Sequence, residues 1–440
     1  MGRRSQAKSL RLWMNGEPVG RWRIDARGQD ELVYDDAWLV SPQFRPLSLS
    51  LPAPLGGGAL RSPAVAAYFD NLLPDSDTIR QRLRARFATP STAAFDLLAA
   101  VGRDCVGALQ LTPDDDAPSR VDLLELEPLD EAGVEAELRD VVAPRAGPRD
   151  DEEPLRISIA GAQEKTALTR HAGRWCRPRG TTPSTHIFKL PLGLVGHRLA
   201  DMRTSVENEW LCAELLREFG LPVTACEIAR FGSQKALIVE RFDRRFAEAG
   251  YWLRLPQEDF CQATGTPAHR KYEADGGPSL LAIARILQNS ESRNDDLRTL
   301  LVSQLLFWLL AAPDGHAKNF SIHLLSGGRY RLTPLYDVLS GWPMVGPAPN
   351  QYPYEKMKLA MALRGRNVHY RMREIQRRHF VKTARLCGFD EDMDALIDDV
   401  LARAPQVVQS VGARLPVGFP EDVFAATAKG VLDSAQRLHR

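Results

Sequence analysis

What the chain lacks narrows its class first. It has no Cys-x-x-Cys and no paired cysteine spacing. The six cysteines (Cys105, Cys176, Cys212, Cys226, Cys261 and Cys387) are scattered over 440 residues, which argues against a disulfide framework or a thiolate metal site and predicts buried, reduced thiols. Its longest apolar run, at residues 300–312, is broken by Ser303 and Gln304 and is too short to span a bilayer. The basic start Met1-Gly2-Arg3-Arg4 is followed by no apolar stretch, so no signal peptide is expected. Charge of one sign is missing too: 57 Lys and Arg against 56 Asp and Glu leave +1, too little for the whole chain to attract nucleic acid or acidic membranes. No internal repeat stands out. The reading is a cytoplasmic protein without a membrane partner, and 44% hydrophobic with 26% charged residues supports two or three domains with cores of their own.

Residues 9–41 alternate in short runs around an Asn15-Gly16 turn, the pattern of hairpins in a small antiparallel sheet. Residues 63–87 read as helical with an interruption at Pro74, and 95–101 as a helix stopped by Gly102. An amphipathic piece is expected at 123–138, and the Pro-rich, charged stretch 143–154 is expected to be a linker. These features divide the chain into an N-terminal α/β domain, residues 1–150, and a second domain, residues 151–440, rich in helix toward its end.

The second domain is organised around Pro313-Asp314-Gly315-His316-Ala317-Lys318-Asn319. Pro313 disfavours helical geometry at Ala312, so the apolar helix should hand over there to a polar loop. After the loop, Phe320, Ile322 and Leu324 alternate with Ser321, His323 and Leu325. A Ser326-Gly327-Gly328 turn then sends residues 329–332 back toward Asp337. Asp314, Asn319 and Asp337 should therefore converge. Phosphoryl transfer from ATP needs a carboxylate to take the proton of the attacking hydroxyl, and an Asn and a second Asp to hold Mg²⁺. Asp314 and Asn319 stand five apart, the spacing of that base and that ligand in kinase catalytic loops.

Upstream the remaining parts of a nucleotide site follow in order. Residues 156–168 read strand, small-residue turn, strand, although a single Gly161 makes this no P-loop by pattern. Lys189 lies on a strand at 185–190. Glu209 lies in the first turn of a helix at 206–219, placed to fix that lysine by kinase logic. Residues 235–240 form a buried strand running into Arg241-Phe242-Asp243.

The strings ISIAGAQEKTAL (157–168), THIFKLP (185–191), VERFDRR (239–245), LPQEDFCQ (255–262), DGHAKNF (314–320) and LTPLYD (332–337) resemble the HipA family. So do WMNG (13–16), RPLSLSLP (45–52), YFDNLLPDS (68–76) and GRDCVGA (102–108) in the first domain. The resemblance implies an α+β, protein-kinase-like core, related to phosphoinositide kinases, behind an N-terminal α/β domain. It implies a serine/threonine-protein kinase toxin of a type II toxin–antitoxin pair, using ATP and Mg²⁺. Asp314 would be the catalytic base, and Asn319 and Asp337 the metal ligands. Ala160, Gly161, Ala162, Gln163, Glu164 and Lys165 would cover the phosphates, and Lys189 would contact them. Glu240, Arg241 and Phe242 would form the adenine hinge, with His316, Lys318 and Tyr336 also at the nucleotide. Ser158 would be autophosphorylated, silencing the enzyme. The partners implied are a HipB-like helix-turn-helix antitoxin, operator DNA reached through that antitoxin, and a protein substrate, glutamyl-tRNA synthetase, whose arrest would favour persistence.

The pattern departs from the family at Pro313, where Thr is expected, and in the Pro-rich loop 341–356. Residues 364–385 carry eight Lys and Arg against Glu374 alone, a run that suits either phosphate contact or a solvated face. In HipA a basic pair here touches DNA. Arg385 matches one member, and Gly388 stands in place of the other. Two rival readings remain at this point: a lipid or small-molecule kinase, and a catalytically silent co-repressor.

Overall fold

Alternation decides the first sheet. In a computed structural model, which describes residues 8–118, 120–142, 160, 161, 163–196 and 198–439, β1 (Lys8–Met14) buries Leu10, Leu12 and Met14 and leaves the residues between them part-exposed. With β2 (Glu17–Ile24), β3 (Asp30–Tyr34), β4 (Ala59–Leu60) and β5 (Leu109–Pro113) it forms an antiparallel sheet in the order β4-β3-β2-β1-β5. Asn15 and Gly16 take left-handed backbone in the β1–β2 turn. Helices α1 (Asp36–Leu39), α2 (Pro63–Asp70), α3 (Asp77–Phe87) and α4 (Ala94–Val101) fill the connections. Ser62 caps α2, with Pro63 in its first turn. The expected break at Pro74 separates α2 from α3. Trp22 stacks on Phe69 at the centre of this core, 4.0 Å between rings.

A second sheet has six strands: β6 (Leu126–Leu129), β7 (Lys165–His171), β8 (Arg174–Pro178), β9 (His186–Lys189), the hairpin β10 (Gly193–Val195) and β11 (Ala200–Met202) standing apart from it, then β12 (Cys226–Phe231) and β13 (Gln234–Glu240). The order is β12-β13-β9-β7-β8-β6. Helix α5 (Glu131–Val142) covers one face through Val134 and Leu138, and α6 (Ser205–Glu218) the other. β13 is buried on both sides: Ala236 and Ile238 pack toward α5, Leu237 and Val239 toward the main core. The single amphipathic piece expected at 123–138 is thus a strand and a helix. Pro128 suits β6 as an edge strand, and the Asp130 carboxylate accepts the Gly133 N–H, 2.8 Å, as the helix begins. Both elements precede residue 150 yet pack with the second sheet. The expected linker, 143–154, lies outside the described residues.

The remainder is mostly helical. Short strands β14 (Arg244–Phe246), β15 (Trp252–Arg254) and β16 (Gln257–Asp259) lead to α7 (Phe260–Ala263), α8 (Leu280–Leu287) and α9 (Arg293–Leu309). β16 joins β17 (Ser321–Leu324) and β18 (Tyr330–Leu332) in a three-stranded sheet. β19 (Lys358–Arg364), β20 (Val368–Arg371), α10 (Arg377–Leu386), α11 (Met393–Gly412) and α12 (Glu421–His439) complete the chain. Among the described residues no helix is long and apolar enough to cross a membrane.

The two units share a buried charge cluster. Asp104 of the first unit and Asp243 of the second are ringed by Arg241, Arg244 and Arg254. Asp243 also accepts the Gly107 N–H, 2.6 Å.

Candidate active site

Helix α9 delivers the central loop. Residues 299–309 are all buried, so the helix is a rigid strut through the main core. It ends three residues before the expected stop because Ala311 takes left-handed backbone, φ 48°. The Ala312 N–H then reaches the Phe307 carbonyl, 2.8 Å, and the Ala311 N–H the Trp308 carbonyl, 3.2 Å, a Schellman end closed without glycine. The chain leaves as 313–319, and β17 and β18 return it to Asp337, as the hairpin pattern indicates.

The loop is tied to itself. The Asn319 amide donates to the Asp314 carbonyl, 2.7 Å, and more weakly to the Asp337 carbonyl, 3.5 Å. The Asp314 carboxylate is 43% exposed and accepts a hydrogen bond from the Tyr272 hydroxyl. Burial and the adjacent Asp314 charge push the Tyr272 phenol up, so it stays a donor. His316 is buried, 3.6 Å from Asp314, its Nδ1 without a hydrogen-bond partner. Burial lowers its pKa, keeping the ring neutral. Asp337 sits in left-handed backbone, φ 60°, a strained setting for a non-glycine residue that is characteristic of functional sites.

Lys189 on β9 links the two halves. Its ammonium donates to Glu209, 2.6 Å, and to Asp337, 2.8 Å. Burial alone would lower this lysine, but the carboxylates of Asp337 and Glu209 overcome it and hold the charge. Burial likewise works against ionised Asp337, and the ammoniums of Lys189 and Lys165 keep it anionic, well below the usual range. α6 starts at Ser205, so Glu209 lies in its second turn rather than its first.

Of the expected phosphate-covering residues, Ala162 lies outside the described residues, as does Ser158. Gly161 has φ 110°, a backbone conformation that favours glycine. The Lys165 ammonium donates to the Ala160 carbonyl; burial and the Lys189 charge push it down to about 8. Gln163 donates to the Leu190 carbonyl, 2.5 Å, and Glu164 pairs with Arg82 of the first unit. At the end of β13, Phe242 packs on Tyr336 with the rings tilted by 32° and 5.5 Å apart. The Glu240 carbonyl accepts from Thr224, 2.8 Å.

Two of the expected nucleotide residues point elsewhere. The Arg241 guanidinium lies in the buried cluster, bonded to Asp243 and Ser184, because two carboxylates there need a partner. The Lys318 ammonium is buried on Asp75, 2.9 Å, and on the Asn71 side chain, 3.0 Å. Asn71, Asp75, Lys271 and Tyr272 escaped the sequence reading. The family-like string 68–76 contains Asn71 and Asp75 but says nothing of what they touch, and none of the family-like strings reaches Lys271 or Tyr272.

Chemically, the part-exposed Asp314 carboxylate lies in a loop that Asn319 ties to the Asp337 backbone, and the Asp337 carboxylate holds a charged lysine. Asn319 and Asp337 supply hard oxygen donors, and among the described residues no group of three His, Cys, Asp or Glu could hold a metal. Such a pair fits Mg²⁺, which keeps waters and phosphate oxygens in its remaining positions.

Comparison with known proteins agrees along most of the chain. The HipA-like C-terminal domain matches residues 157–408 and the HipA N-terminal domain residues 10–112. The chain belongs to the HipA family. A candidate kinase of Sinorhizobium fredii, Y4mE, is 34% identical over 77% of this chain and 79% of its own. The serine/threonine-protein kinase toxin HipA of Shewanella oneidensis is 29% identical over 76% of each. The structure of Shewanella oneidensis HipA with HipB and operator DNA has a TM-score of 0.77 at 24% identity, covering 98% of this chain and 97% of that one. At that identity the likeness establishes the fold. The HipA-type chain described here is thus a mixed helix and sheet protein with a kinase-like C-terminal unit, and an enzyme of the serine/threonine kinase toxin class.

Proposed function

We propose that this HipA-family protein transfers the γ-phosphoryl group of ATP to a serine hydroxyl of another protein, as the toxin of a toxin–antitoxin pair. The observation that carries the reading is Lys189, bonded at once to Glu209 and to Asp337, with Asp314 and Asn319 joined in the adjoining loop. Asp314 accepts the proton as the serine oxygen bonds to the γ-phosphorus. The bond from that phosphorus to the β,γ-bridging oxygen breaks, and ADP leaves. Asn319 and Asp337 would hold Mg²⁺, which offsets charge on the phosphates. Lys189 and the 160–165 loop face the phosphates. Glu240 to Phe242, with Tyr336, border the adenine, Arg241 contributing backbone only. His316 flanks Asp314 as a neutral ring, and Lys318 serves the nucleotide through the placement of its loop.

Finer parts of the reading rest on family likeness. The acceptor is glutamyl-tRNA synthetase, whose arrest slows translation and promotes persistence in the cytoplasm. The partner is a HipB-like antitoxin, as in the Shewanella oneidensis complex, and operator DNA is reached through it. The 364–385 run favours a secondary role at DNA, since part of it is already engaged: Arg364 pairs with Glu273, and Arg377 with Asp394 and Asp398. Autophosphorylation of Ser158 silences the enzyme, because a dianion beside the phosphate loop repels ATP.

Intact-mass spectrometry after incubation with ATP and Mg²⁺ tests this. A single phosphate is expected on the wild type, mapping to Ser158, absent from Ser158→Ala and from Asp314→Asn. A phosphatase-treated wild type that gains none contradicts self-silencing, and transfer by Asp314→Asn at the wild-type rate contradicts the catalytic assignment.

A further inference from the structure

One short segment of the first unit touches three parts of the site at once. The backbone N–H of Asp75 donates to the Gly161 carbonyl, 3.1 Å, in the phosphate-covering loop, and Pro74 bridges Gly161. One Asp75 carboxylate oxygen accepts from Lys318, 2.9 Å, and the other from Lys271, 2.9 Å. Lys318 directly precedes Asn319. Lys271 directly precedes Tyr272, whose hydroxyl holds the Asp314 carboxylate, and the Lys271 carbonyl accepts the Ala317 N–H, 3.4 Å. Asn71 braces the arrangement: its amide donates to the Ala67 and Thr266 carbonyls, 2.8 and 2.9 Å, while its oxygens receive Lys318.

Asp75 is 14% exposed and Lys318 4%. Burial works against the carboxylate, yet the Lys318 and Lys271 ammoniums hold it at about 2, so it is charged throughout the working pH range. A fixed anion between two lysines sets the distance between the segments that carry those lysines. It also withdraws the Lys318 ammonium from the phosphates. Resting on the kinase reading above, we infer that Asp75 of the N-terminal unit is a positioning residue for phosphoryl transfer: it sets the catalytic loop through Lys318, the Tyr272 segment through Lys271, and the phosphate loop through its own backbone. The first unit then completes the active site rather than merely adjoining it.

The test uses the full chain and initial rates of phosphoryl transfer to whichever acceptor the wild type modifies. Asp75→Asn keeps size and removes charge. Displacing reacting groups by an ångström or less costs roughly 10- to 100-fold, so kcat should fall by about that factor while KM for ATP changes less than about threefold. A purely structural salt bridge would instead lower the melting temperature and scale kcat with the folded fraction. Asp75→Glu, which restores the charge, should recover part of the rate at an unchanged KM. Should Asp75→Asn fail to fold, Lys271→Gln removes one arm at a part-exposed position, and a several-fold lower kcat is expected there. Wild-type kcat in every folded variant overturns the inference alone. A loss confined to KM for ATP overturns it as well. Absence of transfer by the wild type overturns the kinase reading, and this inference with it.

Discussion

Two of the buried ion networks in this molecule differ in kind, one closed and one open. In the joint between the units, Asp104 and Asp243 meet Arg241, Arg244 and Arg254, every side chain 1–5% exposed. The surplus guanidinium charge is absorbed by neutral oxygens: the carbonyls of Cys105, Gly107, Thr181 and Ser184 all accept from these arginines. At the active site, Lys189 and Glu209 are equally buried, at 7% each, but Asp337 is 32% exposed and Asp314 43%. Both networks use long-range pairs in a low-dielectric setting. In the first, every group has a partner and geometry is fixed. The second leaves carboxylate oxygens at the surface where a cation and phosphates can complete the set.

The difference can be broken from the closed side first, where the largest effect is expected. Asp243→Ala leaves Asp104 as the one carboxylate among three buried guanidiniums, and removing one partner of a buried pair costs about 3–5 kcal/mol. Denaturant unfolding of the full chain should show that loss, with activity falling only as the folded fraction falls. A change under about 1 kcal/mol would mean that water or neighbouring groups replace the carboxylate.

A pH-dependent effect of similar size sharpens the comparison. Glu258, also at the joint, is fully buried; one oxygen accepts the Leu49 N–H, 2.9 Å, and the other has no partner. Burial pushes its pKa up from 4.5 to about 8, so the folded protein carries it neutral at pH 7. A folded pKa raised above the unfolded one contributes stability that is complete below pH 4.5 and is lost as pH rises through 8. Over that window the slope is about 1.4 kcal/mol per pH unit. Glu258→Gln should remove it, so the variant's stability relative to wild type improves steadily from pH 5 to pH 8 in unfolding experiments. Parallel curves would show that Glu258 is ionised in the fold.

The open network was legible in the sequence where it is local, whereas its Lys189–Asp337 pair, which joins two distant elements, was not read. Pro313 to Asp337 is one loop and one hairpin, set by an apolar helix, a proline and a Ser-Gly-Gly turn, and Lys189 and Glu209 are twenty residues apart on consecutive elements. The closed network was not. Arg241 was itself read as part of the adenine hinge after the strand 235–240, and nothing local reveals that its side chain turns toward Asp104, over a hundred residues earlier. Lys318 was misplaced for the same reason: its partners Asn71 and Asp75 belong to the other unit. The hairpins of the first sheet followed from period-two burial and the Asn15-Gly16 turn. The strand Leu126–Leu129 did not, because its pairing with β8 is a tertiary choice that the amphipathic pattern at 123–138 hides.

The most direct test is Asp337→Asn, measured for melting temperature with and without ATP and Mg²⁺, and for phosphoryl transfer. Lys189 keeps Glu209 as its partner in this variant, so the fold should hold and its melting temperature without ligand should stay within about 2–4 °C of the wild type, the shift that 1 kcal/mol gives a domain of roughly 150–250 residues. ATP with Mg²⁺ should raise the melting temperature of the wild type and not of the variant, and transfer by the variant should fall by roughly 100-fold or more. A variant that melts with the wild type, gains the same protection from ATP and Mg²⁺, and transfers at the wild-type rate would contradict the assignment of the open network as the active site.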